Sequence, residues 1–153
     1  WALDFGAEKV WLFFMVGLPH QTREEVRATL EWARALLDRF SRKYPRRIEV
    51  IISPLEPFID PGSPAFENPS EYGYRLLFRS LEDYRRAVRS STWREVLNYE
   101  TDSMKREELV DLSYEAAIEM EELRRDFDLG TRRETKRKVE RWTEERAAIA
   151  SIR

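Results

Sequence analysis

Seven consecutive apolar residues, Val10-Trp11-Leu12-Phe13-Phe14-Met15-Val16, run straight into Gly17-Leu18-Pro19-His20-Gln21-Thr22, and this junction constrains the fold more than any other stretch. A short run rich in aromatic and β-branched side chains suits a strand covered on both faces, as in a parallel sheet, better than one with a wet face. Gly17 and Pro19 then stop it. Thr22 stands where a helix N-cap is needed, and Glu25 completes a capping box. Val26, Leu30, Ala33, Leu37 and Phe40 follow at helical spacing. The pattern predicts a helix from about Arg23 to about Phe40. Ile48-Glu49-Val50-Ile51-Ile52, closed by Ser53-Pro54, predicts a second strand, so the whole reads as a β-α-β unit with parallel strands and a right-handed crossover. Ligands bind such units at the carboxyl ends of the strands. Those ends are Gly17 to Gln21 and Ser53 to Phe58.

Pro54, Pro57, Pro61, Pro64 and Pro69 make the next segment an ordered but irregular loop, with Asp60-Pro61-Gly62-Ser63 as a turn. From Ser70 the chain reads as helices: Glu71 to Phe78, Leu81 to Arg89, a short one from Trp93 to Leu97, then a long one capped by Ser103. The long helix carries Leu109, Leu112, Ala116, Met120, Leu123 and Phe127 as its stripe and stops at Gly130, a residue suited to the C′ position. Thr131 and Glu134 repeat the capping-box spacing. The last helix has only Val139, Trp142, Ile149 and Ile152 as larger apolar residues, and is expected to be mobile or docked on another chain. The expected fold class is α/β, organised as a β-α-β unit with its proline-rich loop (1–66), a mainly helical region (67–130) and a terminal helix (131–153).

Composition narrows the functional classes. The 27 basic residues are interleaved with 29 acidic ones, which argues against a nucleic-acid partner. No apolar run approaches the roughly 20 residues of a membrane span, and the N-terminus lacks the order of a signal peptide, so a cytoplasmic protein is expected. There is no cysteine, hence no disulfide, thiol nucleophile or thiolate metal site.

The stretch Phe14-Met15-Val16-Gly17-Leu18-Pro19-His20-Gln21-Thr22-Arg23-Glu24-Glu25-Val26 resembles the fifth strand and following helix of radical S-adenosylmethionine enzymes, whose pattern is an apolar strand, GLPGQT or GFPGET, and an acidic helix start. Ser53 to Phe66 and Leu97-Asn98-Tyr99-Glu100-Thr101 resemble the tail of a narrower group, the cobalamin-binding-domain radical SAM proteins. The resemblance implies the last strands of a partial TIM barrel. It also implies a parent protein that uses a [4Fe–4S] cluster, S-adenosylmethionine and, in some members, cobalamin. The family holds its cluster with a C-x-x-x-C-x-x-C triad, and thiolates are the usual ligands. This chain has none, so the resemblance implies the carboxy-terminal part of such an enzyme, binding no cofactor alone and partnered by the rest of its parent. Opening on Trp1 agrees with an excised or proteolysed piece; a degenerate stand-alone homologue is the alternative.

By that resemblance Val16, Gly17, Leu18 and Gln21 lie near the adenine of S-adenosylmethionine, the first three giving shape more than chemistry. Otherwise they are simply a strand terminus. Glu56, Asn98 and Tyr99 are candidates for the substrate side, with Glu100 beside them; turn and helix capping are the competing roles, and Glu56 or Asp60 is as well placed to pair with Arg75 or Arg79. His20 is the only histidine. An imidazole titrates near neutrality and suits acid–base work, but a surface turn residue is the favoured reading. The family more often has glycine there, which accepts positive φ more freely. Trp11, Trp32 and Trp93 are expected in the core. No catalytic residue and no metal ligand is assigned. Besides the enzyme fragment, the sequence allows a stand-alone interaction module or a small-molecule-binding domain. If strand Val10 to Val16 lacks a neighbour on one side, the bare edge favours a homodimer.

Overall fold

In a computed structural model the described residues are 1–54, 59–90 and 92–151. Among the described residues the architecture is mixed α/β, with six α-helices and two two-stranded sheets. Strand β1 (Val10–Val16) and strand β2 (Ile48–Pro54) flank helix α1 (Arg23–Phe40), and the strands pair in parallel with Val10 opposite Ile48 and Phe14 opposite Ile52. At the start of α1 the Thr22 hydroxyl accepts the Glu25 N–H at 3.3 Å, and the Glu25 carboxylate accepts the Thr22 N–H at 2.7 Å. Both predicted strands and the capped helix are therefore present.

One face of this sheet is covered and the other is not. Val10, Leu12, Phe14 and Val16 lie under α1, whose Val26, Leu30, Ala33 and Leu37 are buried. Trp32 of α1 meets Phe14 edge-on at 5.6 Å. On the opposite face Trp11 is 52% exposed, Phe13 65% and Met15 45%. The expectation of a strand covered on both faces is corrected: the odd-numbered side chains of β1 stand largely open, with only partial cover such as the Lys9 ammonium 4.8 Å from the Trp11 ring. Trp11 and Trp32 are likewise half-exposed rather than core, whereas Trp93 packs against the core.

After the Asp60–Ser63 turn, closed by the Ser63 N–H on the Asp60 carbonyl at 3.1 Å, a short helix α2 (Pro64–Glu67) and a 3-10 turn (Pro69–Tyr72) occupy what the sequence suggests is irregular loop. The predicted helix from Glu71 to Phe78 does not form. Gly73, at φ +71°, turns the chain, and strand β3 (Tyr74–Leu76) follows. It pairs antiparallel with strand β4 (Tyr99–Thr101), Arg75 opposite Glu100, while Tyr74 meets the ring of Tyr99 at 5.3 Å. Between them lie helices α3 (Leu81–Ala87) and α4 (Trp93–Val96).

Helix α5 (Arg106–Asp126) begins three residues beyond the expected Ser103 cap. Ser103 instead bonds Asp102 through its hydroxyl, and the Glu108 carboxylate accepts the Lys105 N–H at 3.0 Å. At the far end the left-handed residue is Asp128, φ +56°, not Gly130, so the chain leaves the helix two residues earlier than the glycine suggests. α5 packs alongside β2 and α1, joined to β2 by Arg124 on Glu49 at 3.1 Å. Helix α6 (Arg132–Ala150) is capped by Thr131 and Glu134 as predicted, and it packs along α5. Arg146 grips Asp111 of α5 with Nε at 2.6 Å and Nη2 at 2.9 Å, Lys138 bonds Glu121 at 3.0 Å, and Tyr114 donates to Glu145 at 3.1 Å. Burial pushes the Tyr114 hydroxyl up to about 12, and it also accepts the Trp93 indole N–H at 2.8 Å. No helix among the described residues is long and apolar enough to cross a membrane.

Candidate functional site

The carboxyl end of β1 is built by a local circuit. Gly17, at φ +96°, starts the reversal, and the Gln21 side chain closes it. Gln21 Oε1 accepts the Gly17 N–H at 2.8 Å and the Leu18 N–H at 3.3 Å, while Nε2 donates to the Met15 carbonyl at 3.1 Å. The strand end thus keeps its own polar groups paired. Val16 is 1% exposed beneath the helical layer, so Leu18 is the apolar side chain this turn presents outward.

The turn is tied to the β3–β4 hairpin. The Oδ1 of Asp102, just past β4, accepts the His20 N–H at 2.9 Å, and its Oδ2 meets His20 Nδ1. His20 holds φ +60°, in the left-handed region that glycine accepts more freely. The Asp102 N–H donates to the Gly73 carbonyl at 3.0 Å, and Gly73 lies tight against Pro19. The backbone bond from His20 outweighs burial and holds the Asp102 carboxyl below its ordinary value. His20 is a surface turn residue, as expected, but one with a charged partner. Asp102 and Gly73 carried no local signal, because their partners stand 82 and 54 positions away.

The substrate-side candidates are placed differently. Asn98 and Tyr99 are inside: Asn98 Oδ1 accepts the Ile59 N–H at 2.8 Å and its Nδ2 donates to the Ile59 carbonyl at 3.3 Å, fixing the chain where it returns from the proline-rich loop. Burial drives the Tyr99 hydroxyl far up. Both are buried and hold the fold. Glu100 is also buried. Burial raises its carboxyl, but the Arg106 N–H, Arg75 and Lys105 together leave it below the ordinary carboxylate value. Arg75 thus pairs with Glu100, and Arg79 bonds the Phe66 carbonyl at 2.8 Å, not Asp60. Glu56 lies outside the described residues.

The chain does not fit an iron–sulfur cluster: it has no cysteine, and no group of three or more His, Asp or Glu among the described residues is arranged to hold a metal. At the strand end the Gly17 and Leu18 backbone donors are already taken by Gln21. A groove of about 470 Å³, lined by Leu3, Val10, Leu12, Phe40 and Tyr44 among others, opens at the opposite, amino end of the strands. No family model, curated protein or solved structure matches this chain.

Proposed function

We propose that this chain is the carboxy-terminal segment of a radical SAM enzyme of the cobalamin-binding kind, helping to enclose S-adenosylmethionine and substrate without catalysing alone. The observation that carries the reading is the half-finished β-α-β layer: α1 covers one face, while Trp11, Phe13 and Met15 stand bare on the other and β1 has one paired edge. A strand of seven apolar residues belongs between neighbours. In this reading the missing strands of a partial TIM barrel supply them, the odd-numbered side chains face its interior, and Val16, Gly17, Leu18 and Gln21 shape the adenine end. The cluster, and the reductive chemistry it supplies when bound, sit on cysteines outside these residues. A cytoplasmic location goes with this reading.

A stand-alone interaction module is the second reading, favoured by the same bare face and edge. The upstream reading frame separates the two. A C-x-x-x-C-x-x-C triad there, and a longer protein that after anaerobic reconstitution releases 5′-deoxyadenosine from S-adenosylmethionine under dithionite, is the expected result. An upstream frame without the triad, or a reconstituted protein that leaves S-adenosylmethionine intact, overturns the enzyme reading.

A further inference from the structure

The one histidine of the chain stands where a parallel sheet presents its ligands, and it is held there by a carboxylate. His20 occupies a left-handed backbone position that side chains other than glycine rarely take, and such a position persists only where the surroundings enforce it. Here the enforcing group is Asp102, which takes the His20 N–H on one oxygen and Nδ1 on the other. Asp102 is itself fixed, through its N–H on the Gly73 carbonyl and the Ser103 hydroxyl at 3.3 Å. An ionised carboxylate only accepts, so the hydrogen of the neutral ring lies on Nδ1 and the lone pair on Nε2. The His20 side chain is 81% exposed, and Nε2 has no partner among the described residues.

We propose that His20 and Asp102 are a proton-transfer pair serving a small polar ligand at the carboxyl end of β1. Nε2 takes a proton from an O–H or N–H of that ligand, Asp102 stabilises the imidazolium that forms, and Nε2 returns the proton to the product or to water. A carboxylate that fixes the tautomer and ring orientation from Nδ1 is what a general-base histidine requires. The pair rests on the proposed function only in placing a ligand at this strand end. The glycine of the family pattern supplies no such group, so the chemistry belongs to this chain's own His20.

Because His20 is the sole histidine, its chemistry can be read without interference. Long-range ¹H–¹⁵N correlation on the labelled chain, at a pH where the ring is neutral, is expected to show Nδ1 protonated and Nε2 bare. Asp102→Ala should return the ring to the Nε2–H form that free imidazole side chains prefer. Acylation of His20 by diethyl pyrocarbonate should run several-fold faster in the unmodified chain than in Asp102→Ala. Asp102→Asn, which keeps an acceptor for the His20 N–H, should show the same slowing with the turn intact. An Nε2–H ring in the unmodified chain overturns the pair. Equal acylation rates do so too, because Nε2 would then gain no basicity from Asp102. Neither measurement needs a cluster or an upstream segment, so their failure is distinct from failure of the radical SAM reading.

Discussion

Asn98 holds both backbone groups of Ile59, accepting its N–H at 2.8 Å and donating to its carbonyl at 3.3 Å, with Asn98 wholly buried. Asn98→Ala strands a buried donor and acceptor, and leaving such groups unpaired costs about 1–3 kcal/mol. Denaturant unfolding should show that loss, and hydrogen exchange should show the Ile59 amide opening. A change within about 0.5 kcal/mol, the range of surface substitutions, would mean water replaces the side chain.

Gly73 and Pro19 make a matched steric test. A Cβ at Gly73 would lie 2.9 Å from the Pro19 Cβ, whereas one at Gly62 meets nothing within 4 Å, and both glycines have positive φ, +71° and +84°. Alanine where φ is positive destabilises by more than about 1 kcal/mol. Gly73→Ala is expected to lower the thermal midpoint clearly further than Gly62→Ala, because the proline ring cannot yield. Equal midpoints would show that the turn and the hairpin do not press together.

The face of α1 is checked by two truncations. Leu37 is fully buried, and Leu→Ala in a core costs about 2–5 kcal/mol, while Arg34 is more than half exposed. Leu37→Ala should shift the denaturant midpoint strongly and Arg34→Ala hardly at all.

Acid should loosen α6. The hydrogen bonds from Arg146, helped by its charge and by Arg23, outweigh the rise that burial causes and leave the Asp111 carboxyl below its ordinary value. Such a group stabilises the folded state fully above the unfolded carboxylate value near 3.9 and loses that contribution as pH falls through its lower folded value. Docking of α6 should therefore hold above about pH 4 and weaken below it, by less than about 1 kcal/mol because the pair is partly solvated. Trp142 fluorescence follows this directly; in Asp111→Asn the acid transition should shrink.

In isolation β1 should find another copy of itself. Its unpaired edge and the exposed Trp11, Phe13 and Met15 form a surface that seeks cover, and a two-fold pair is the simplest closed answer. Light scattering over a dilution series is expected to show a concentration-dependent dimer, and Phe13→Lys should make it monomeric. A constant monomer mass for the unmodified chain would remove this expectation.

The β-α-β unit was legible from its residues alone. Its signals are local: an unbroken apolar strand, the Thr22–Glu25 box, a helical stripe from Val26 to Phe40, and a second β-branched run that only a parallel partner can use. The Asp60–Ser63 turn and the Thr131 cap were legible for the same reason, since each is set by residues within four positions. Tertiary structure decided the rest. Tyr74–Leu76 and Tyr99–Thr101 are strands of three residues, too short for an alternating pattern, and each is a strand only because the other is there. The interior place of Asn98 depends on Ile59, 39 positions away, and the setting of His20 depends on Asp102, 82 positions away. The weak stripe of α6 fits because α5 offers Asp111 and Glu115 to Arg146 and Glu121 to Lys138. Seven apolar residues in β1 specified a strand, but whether one face or two would be covered depended on which neighbours stand beside it, and periodicity within a segment cannot encode that.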